Sequence, residues 1–74
     1  MIDVRKIGQR LTELRGLRSR EEVARSLGVS TSALAMYELG YRMPKDDVKI
    51  KLAEFYAMPV GDLFFTPDVT NRVN

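Results

Sequence analysis

Residues 19–40 read SREEVARSLGVSTSALAMYELG, and this stretch decides the fold. Ser19 with Glu22 three positions on forms a capping box, in which the serine caps a backbone amide and the glutamate reaches back. Val23, Ala24 and Leu27 then recur at helical spacing, and Gly28 can take the left-handed conformation that leads a chain out of a helix. Val29 is a small apolar plug. Ser30 is a second N-cap, opening a helix from Thr31 to about Leu39 that Gly40 closes. A helix, a turn of about three residues and a second helix make a helix-turn-helix, here spanning about residues 20–39. Its geometry needs a small residue where the helices cross (Ala24), a glycine in the turn (Gly28) and apolar filling inside the angle (Val23, Leu27, Val29, Leu34, Tyr37).

The flanks carry the same helical period. Ile7, Leu11 and Leu14 stripe a first helix from about Val4 to Arg15, which Gly16 ends. Pro44 and Lys45-Asp46-Asp47 open a fourth helix to about Tyr56, the acidic first turn suiting the helix dipole. Its stripe is Val48, Leu52, Phe55 and Tyr56, with Ile50 and Ala53 to one side. Pro59 starts a last turn or two, Val60 to Phe65. Residues 66–74 are polar and aperiodic and are expected to form a flexible C-terminal tail, leaving residues 1–65 as one helix-turn-helix domain.

Composition narrows the chemistry. The 74 residues contain no cysteine and no histidine, so disulfides, thiolate metal sites and the usual general base are excluded. No enzyme, cofactor or metal is expected, and Asp46-Asp47 reads as a helix N-terminus. The lack of cysteine fits a cytoplasmic setting, and neither a signal peptide nor a membrane span is visible. Charge is unevenly placed: residues 1–20 carry six basic side chains against two acidic, and residues 46–74 three basic against five acidic. A basic N-terminal end is what a polyanion contact needs; an ordinary solvated helix surface is the other reading.

On a wheel of the third helix with Leu34 inward, Ser32 and Met36 lie nearly opposite, flanked by Ala33, Ala35 and Leu39. This uncharged, small face permits entry into a DNA major groove, though it would also suit packing on another protein. Thr31 and Ser32 can reach base edges or phosphates. Tyr41, Arg42 and Lys45 after the helix, and Arg20 on its other side, can straddle the phosphate backbone. Arg15 falls on the buried stripe of helix one and needs a carboxylate. Glu38 is the candidate, and a partly buried Arg15–Glu38 pair is expected to lock helix one to helix three; otherwise Arg15 frays into solvent.

With these residues in place, the chain resembles the lambda-repressor-like family, the Cro/repressor or XRE type of helix-turn-helix regulator. The matching segments are Ile7-Gly8-Gln9-Arg10-Leu11 with Leu14-Arg15, Ser19 to Ala24, Leu27-Gly28-Val29-Ser30, Tyr37-Glu38-Leu39-Gly40, Arg42-Met43-Pro44, Leu52-Ala53 and Asp62-Leu63-Phe64. They cover roughly residues 5–65. The resemblance implies a compact all-α domain of five helices that binds double-stranded DNA, usually as a two-fold dimer, and regulates transcription. It implies base contacts from Thr31, Ser32, Ala33 and Met36 and phosphate contacts from Arg20, Tyr41, Arg42 and Lys45. The family's Arg–Glu pair falls on Arg15 and Glu38. Three departures stand out: a link between helices one and two about two residues short, Arg20 where glutamine is common, and Ala33, Ala35 and Met36 where polar residues often read bases.

The expected function is a sequence-specific repressor on a palindromic operator, with an antitoxin-like or adaptor-like protein-interaction module as the alternative. Phe64 and Phe65 are adjacent, so one helix face cannot bury both. The last helix, through Val60, Phe64 and Phe65, is therefore expected to supply a homodimer interface.

Overall fold

The computed structural model describes residues 3–65. Helix α1 spans Val4–Arg15, α2 Arg20–Leu27, α3 Thr31–Glu38 and α4 Asp46–Phe55, and a π-helical turn covers Gly61–Phe65. The described residues contain no strand. The expected tail at residues 66–74 lies outside the described residues.

Each boundary has a local cause. Asp3 caps α1, its carboxylate accepting from the Arg5 amide at 2.9 Å. Ser19 and Ser30 cap α2 and α3, their hydroxyls accepting from the Glu22 and Ala33 amides at 3.0 Å each, which satisfies amides that a helix start leaves without partners. Gly28 ends α2 at φ 73° and ψ 28°. The Val29 amide then donates to the Ala24 carbonyl at 3.0 Å, folding the turn back on its own helix. α4 ends differently. Ala57, a non-glycine, takes φ 56°, with its amide on the Glu54 carbonyl and that of Met58 on the Ala53 carbonyl.

The core joins Ile7 and Leu11 of α1, Val23, Ala24 and Leu27 of α2, and Leu34 and Tyr37 of α3 to Leu52 and Ala53 of α4 and Leu63 and Phe64 of the last turn. α3 sits centrally, packed by α1 on one side and α2 on the other, while α4 closes over α2. Arg10 fastens the C-terminal end: its Nη1 donates to the Leu63 carbonyl at 2.8 Å and to that of Asp62 at 3.1 Å.

Two expectations change. Phe64 is fully buried within the subunit, so it belongs to the core and is not available to a second copy. The π-helical turn directs Leu63 and Phe64 inward and leaves Phe65 half exposed, at 52 %. The basic N-terminal end is also largely turned to internal use. Arg10 holds the last turn, Arg15 and Arg20 hold Glu38, and the Arg18 guanidinium lies 5.3 Å from the centroid of the Phe55 ring. The short link between α1 and α2 leaves Leu17 wholly exposed.

Gly8 sets the approach of α1 to α3. A Cβ there would meet the Glu38 carbonyl oxygen in hard overlap and the Tyr37 carbonyl oxygen at 2.8 Å. In an open helix, Gly→Ala gains about 1 kcal/mol from propensity. Here the methyl would press on backbone that cannot swing aside, and overpacking of this kind costs roughly 1–3 kcal/mol. Less the propensity gain, the net cost is up to about 2 kcal/mol. Gly8→Ala is therefore expected to lower the melting temperature, by about 4–8 °C for each kcal/mol lost, measured by circular dichroism; a rise would show that the helices are not in contact there.

Candidate nucleic-acid interface

The interface is built from the helix whose start Ser30 fixes. With Leu34 at 0 % exposure and Tyr37 at 7 %, the opposite side of α3 is fixed by the helical period. Thr31 and Ser32 are exposed at its N-terminal end, and Met36, one turn beyond Ser32, is 40 % exposed. Ala33 and Ala35 are half-buried, and Ala33 packs against the core. Ala33 therefore offers only part of its methyl to an outside partner. Leu39, at the C-cap, is 52 % exposed. It is a second bulky apolar group on this side, where the helical wheel alone makes it a mere flank.

The chain leaves α3 through a turn tied to it, the Tyr41 amide donating to the Met36 carbonyl at 3.0 Å. Tyr41 is 73 % exposed, and Arg42 and Lys45 are exposed beyond it. These three reach solvent beside the C-terminal end of α3. Pro44 is buried, which anchors the loop between them.

Behind this surface stands an ion cluster. Glu38 Oε2 accepts from Arg15 Nε at 2.8 Å and Glu38 Oε1 accepts from Arg20 Nε at 2.8 Å. The carboxylate side chain is wholly shielded from water, whereas those of Arg15 and Arg20 are 17 % and 35 % exposed. Arg15 also donates from Nη1 to the Arg18 carbonyl at 2.7 Å. Hydrogen bonding to Glu38 raises the Arg15 pKa further above its ordinary value, so this guanidinium stays charged at any working pH. The sequence points to the first of these arginines through its place on the buried stripe. It gives Arg20 an outward role, and the bond from Nε makes Arg20 a second partner of Glu38.

Tyr56 closes the far side of the cluster. Its hydroxyl is enclosed and has no hydrogen-bond partner among the described residues. Burial first, and the negative charge of Glu38 second, push its phenol above the usual range, so it remains neutral. Among the described residues no cluster of carboxylates could hold a metal ion, and no helix is long and apolar enough to cross a membrane.

Known proteins share this arrangement. The helix-turn-helix family model matches residues 11–63. Over 45 residues the chain is 40 % identical to the cryptic phage CTXphi transcriptional repressor RstR of Vibrio cholerae, a match taking in 61 % of this chain and 40 % of that repressor. The matched part thus spans about two-fifths of that relative's length. The restriction-modification controller protein C.AhdI of Aeromonas hydrophila superposes with a TM-score of 0.73 at 37 % identity, covering 84 % of this chain and 93 % of that one. The DNA-binding domain of BldD does so with a TM-score of 0.67 at 27 % identity and the same coverage. With caps, turn, buried angle and central helix all in register, the chain belongs to the XRE-type helix-turn-helix family, a family of regulators and not of enzymes.

Proposed function

We propose that the chain is a sequence-specific transcriptional repressor that lays the solvent side of α3 into the major groove of a palindromic operator. The observation that carries this reading is the character of that side. It presents Thr31, Ser32 and Met36 with no charged group among them, and the exposed Tyr41, Arg42 and Lys45 follow immediately. A helix face with no charge and no aromatic side chain can approach base edges closely, while the flanking cations meet the phosphates. Thr31 and Ser32 supply the hydroxyls, Ala33 and Met36 the apolar contact with thymine methyls, and Arg20, Tyr41, Arg42 and Lys45 the backbone contacts. With so few hydrogen-bonding groups on the face, DNA shape carries a larger share of the selectivity. The repressor relative supports the sign of regulation, and the cytoplasm is where such a protein works.

Two copies are needed for a palindrome. The surface proposed to join them carries Phe65, Val60 and Ile50, which with Asp46 and Lys49 line one recess. Lys49 lies 4.8 Å from the Phe65 ring centroid and 3.7 Å from Asp46, so the charges at this surface are partly internal to it. A dimer joined here must set its two α3 helices about 34 Å apart to meet successive major grooves on one DNA face.

Binding-site selection on random duplexes tests the reading directly and should return a palindrome. Affinity for the selected duplex should fall steeply with salt, log–log slope about −0.9 per phosphate neutralised; a flat response would favour docking on a protein instead. Met36→Ala should relax preference at one base pair per half-site, removing up to the roughly 1–3 kcal/mol that one mismatched pair costs, and leave binding to random DNA nearly intact. Phe65→Glu with Ile50→Glu should give a monomer by sedimentation with α-helical content unchanged. If the unmodified protein is itself a monomer at tens of micromolar without DNA, the interface assignment fails.

A further inference from the structure

Neutralising the buried Glu38 carboxylate requires one guanidinium, and the structure supplies two. Arg15 is the more enclosed, and it also bonds the Arg18 carbonyl. The cluster thus keeps one net positive charge, and the more open of its two cations is Arg20, the first residue of α2. A guanidinium is planar, so anchoring Nε on a fully buried oxygen also fixes the plane in which the two terminal nitrogens lie. Beyond the bond to Glu38, Arg20 makes no other interaction among the described residues, so those nitrogens are uncommitted.

From this we infer that Glu38 is a positioning residue for DNA binding, which holds Arg20 as a pre-oriented fork for one backbone phosphate. The inference rests on the DNA-binding reading above. A flexible arginine on a surface loses rotamer freedom when it clamps an anion, whereas Arg20 has already lost it in the folded protein. A phosphate is the fitting acceptor, because its oxygens match two parallel N–H donors and because Arg20 stands on α2, outside the solvent side of α3 that faces the bases. Glutamine at this position would lack the charge and, with a single nitrogen, the fork. Lysine would bring the charge without the fork.

The experiment compares Arg20→Lys, Arg20→Gln, Glu38→Gln and the double variant Arg20→Gln/Glu38→Gln. Each is titrated with a fluorescent duplex selected by the unmodified protein and with a random duplex of the same length, across a salt series and below the melting point of every variant. Arg20→Lys is expected to weaken binding to both duplexes by about tenfold with little change in melting temperature. Arg20→Gln should also reduce the magnitude of the salt slope by about 0.9 for each subunit bound, about 1.8 for a dimer on the selected duplex. On the random duplex, where phosphate contacts carry the binding, Glu38→Gln should weaken binding in the unmodified background and have no further effect once Arg20 is glutamine. On the selected duplex a further loss is expected, because Arg15 is released as well. Binding by Arg20→Lys equal to that of the unmodified protein overturns the inference, as does a Glu38→Gln loss on the random duplex that persists without Arg20. A loss confined to the selected duplex and mapping to one G·C pair would make Arg20 a base reader and overturn the phosphate assignment. If Glu38→Gln does not fold, the contrast between the Arg20→Lys variant and the unmodified protein decides alone. Failure of the unmodified protein to bind any duplex would be the same for every variant, and so marks failure of the DNA-binding reading itself.

Discussion

Glu38, on the last turn of α3, is the carboxylate on which the rest of the structure depends. It has no access to water and would be prohibitively costly there without cations. Its two oxygens are met by Arg15 from the end of α1 and Arg20 from the start of α2. Through the second donor of Arg15, the link between those helices is tied to the same point. Three helices therefore converge on one functional group, and none can rotate about its axis without exposing a charge to an apolar interior. Removing a partner from such a group costs about 3–5 kcal/mol, yet replacing the whole set with apolar residues is often neutral. The cluster is thus better understood as fixing a mutual arrangement than as a source of stability.

Gly8 imposes the complementary constraint. The cluster draws the end of α1 toward α3, and the missing side chain at Gly8 lets the helix backbone settle against the Tyr37 and Glu38 carbonyls. The same two residues of α3 are thus fixed by contact on one side and by charge on the other. Apolar packing supplies the rest, with Leu34 and Tyr37 directed inward. What remains free is the opposite face, whose orientation follows from these three restraints.

Much of this is legible in the sequence because it is local. The capping serines, Gly28 and the apolar spacing from Val23 to Tyr37 act within a few residues of themselves, and the pair of Arg15 with Glu38 follows from helical wheels. The rest depends on distances between elements that periodicity does not contain. Arg20 looks outward on α2 alone and turns to Glu38 because the turn at residues 28–30 packs α2 against α3. Phe64 and Phe65 are equivalent in pattern, and the widened π-helical turn decides which is buried. Arg10 and Arg18 read as surface charge, and their roles appear only once the last turn and Phe55 are in place. Ala57 carries no sign of a helix end, since its left-handed conformation is dictated by carbonyls of α4 that need donors.

If the exposed side of α3 meets DNA as proposed, its composition decides how selectivity would arise. Thr31 and Ser32 are the hydrogen-bonding side chains there, while Met36 and Leu39 contribute bulk without direction. Apolar groups discriminate through fit, since a misplaced methylene loses contact steeply with distance. Such discrimination demands that the helix be held at a fixed height and angle over the groove, to within a few tenths of an ångström. A frame with slack would let Met36 slide to accommodate other base pairs at little cost. The convergence of α1, α2 and α3 on Glu38 removes that slack at the end of α3 that carries Met36 and Leu39, and Ser30 caps the other end. Rigidity of the frame is therefore the physical substitute for the hydrogen bonds that this face lacks.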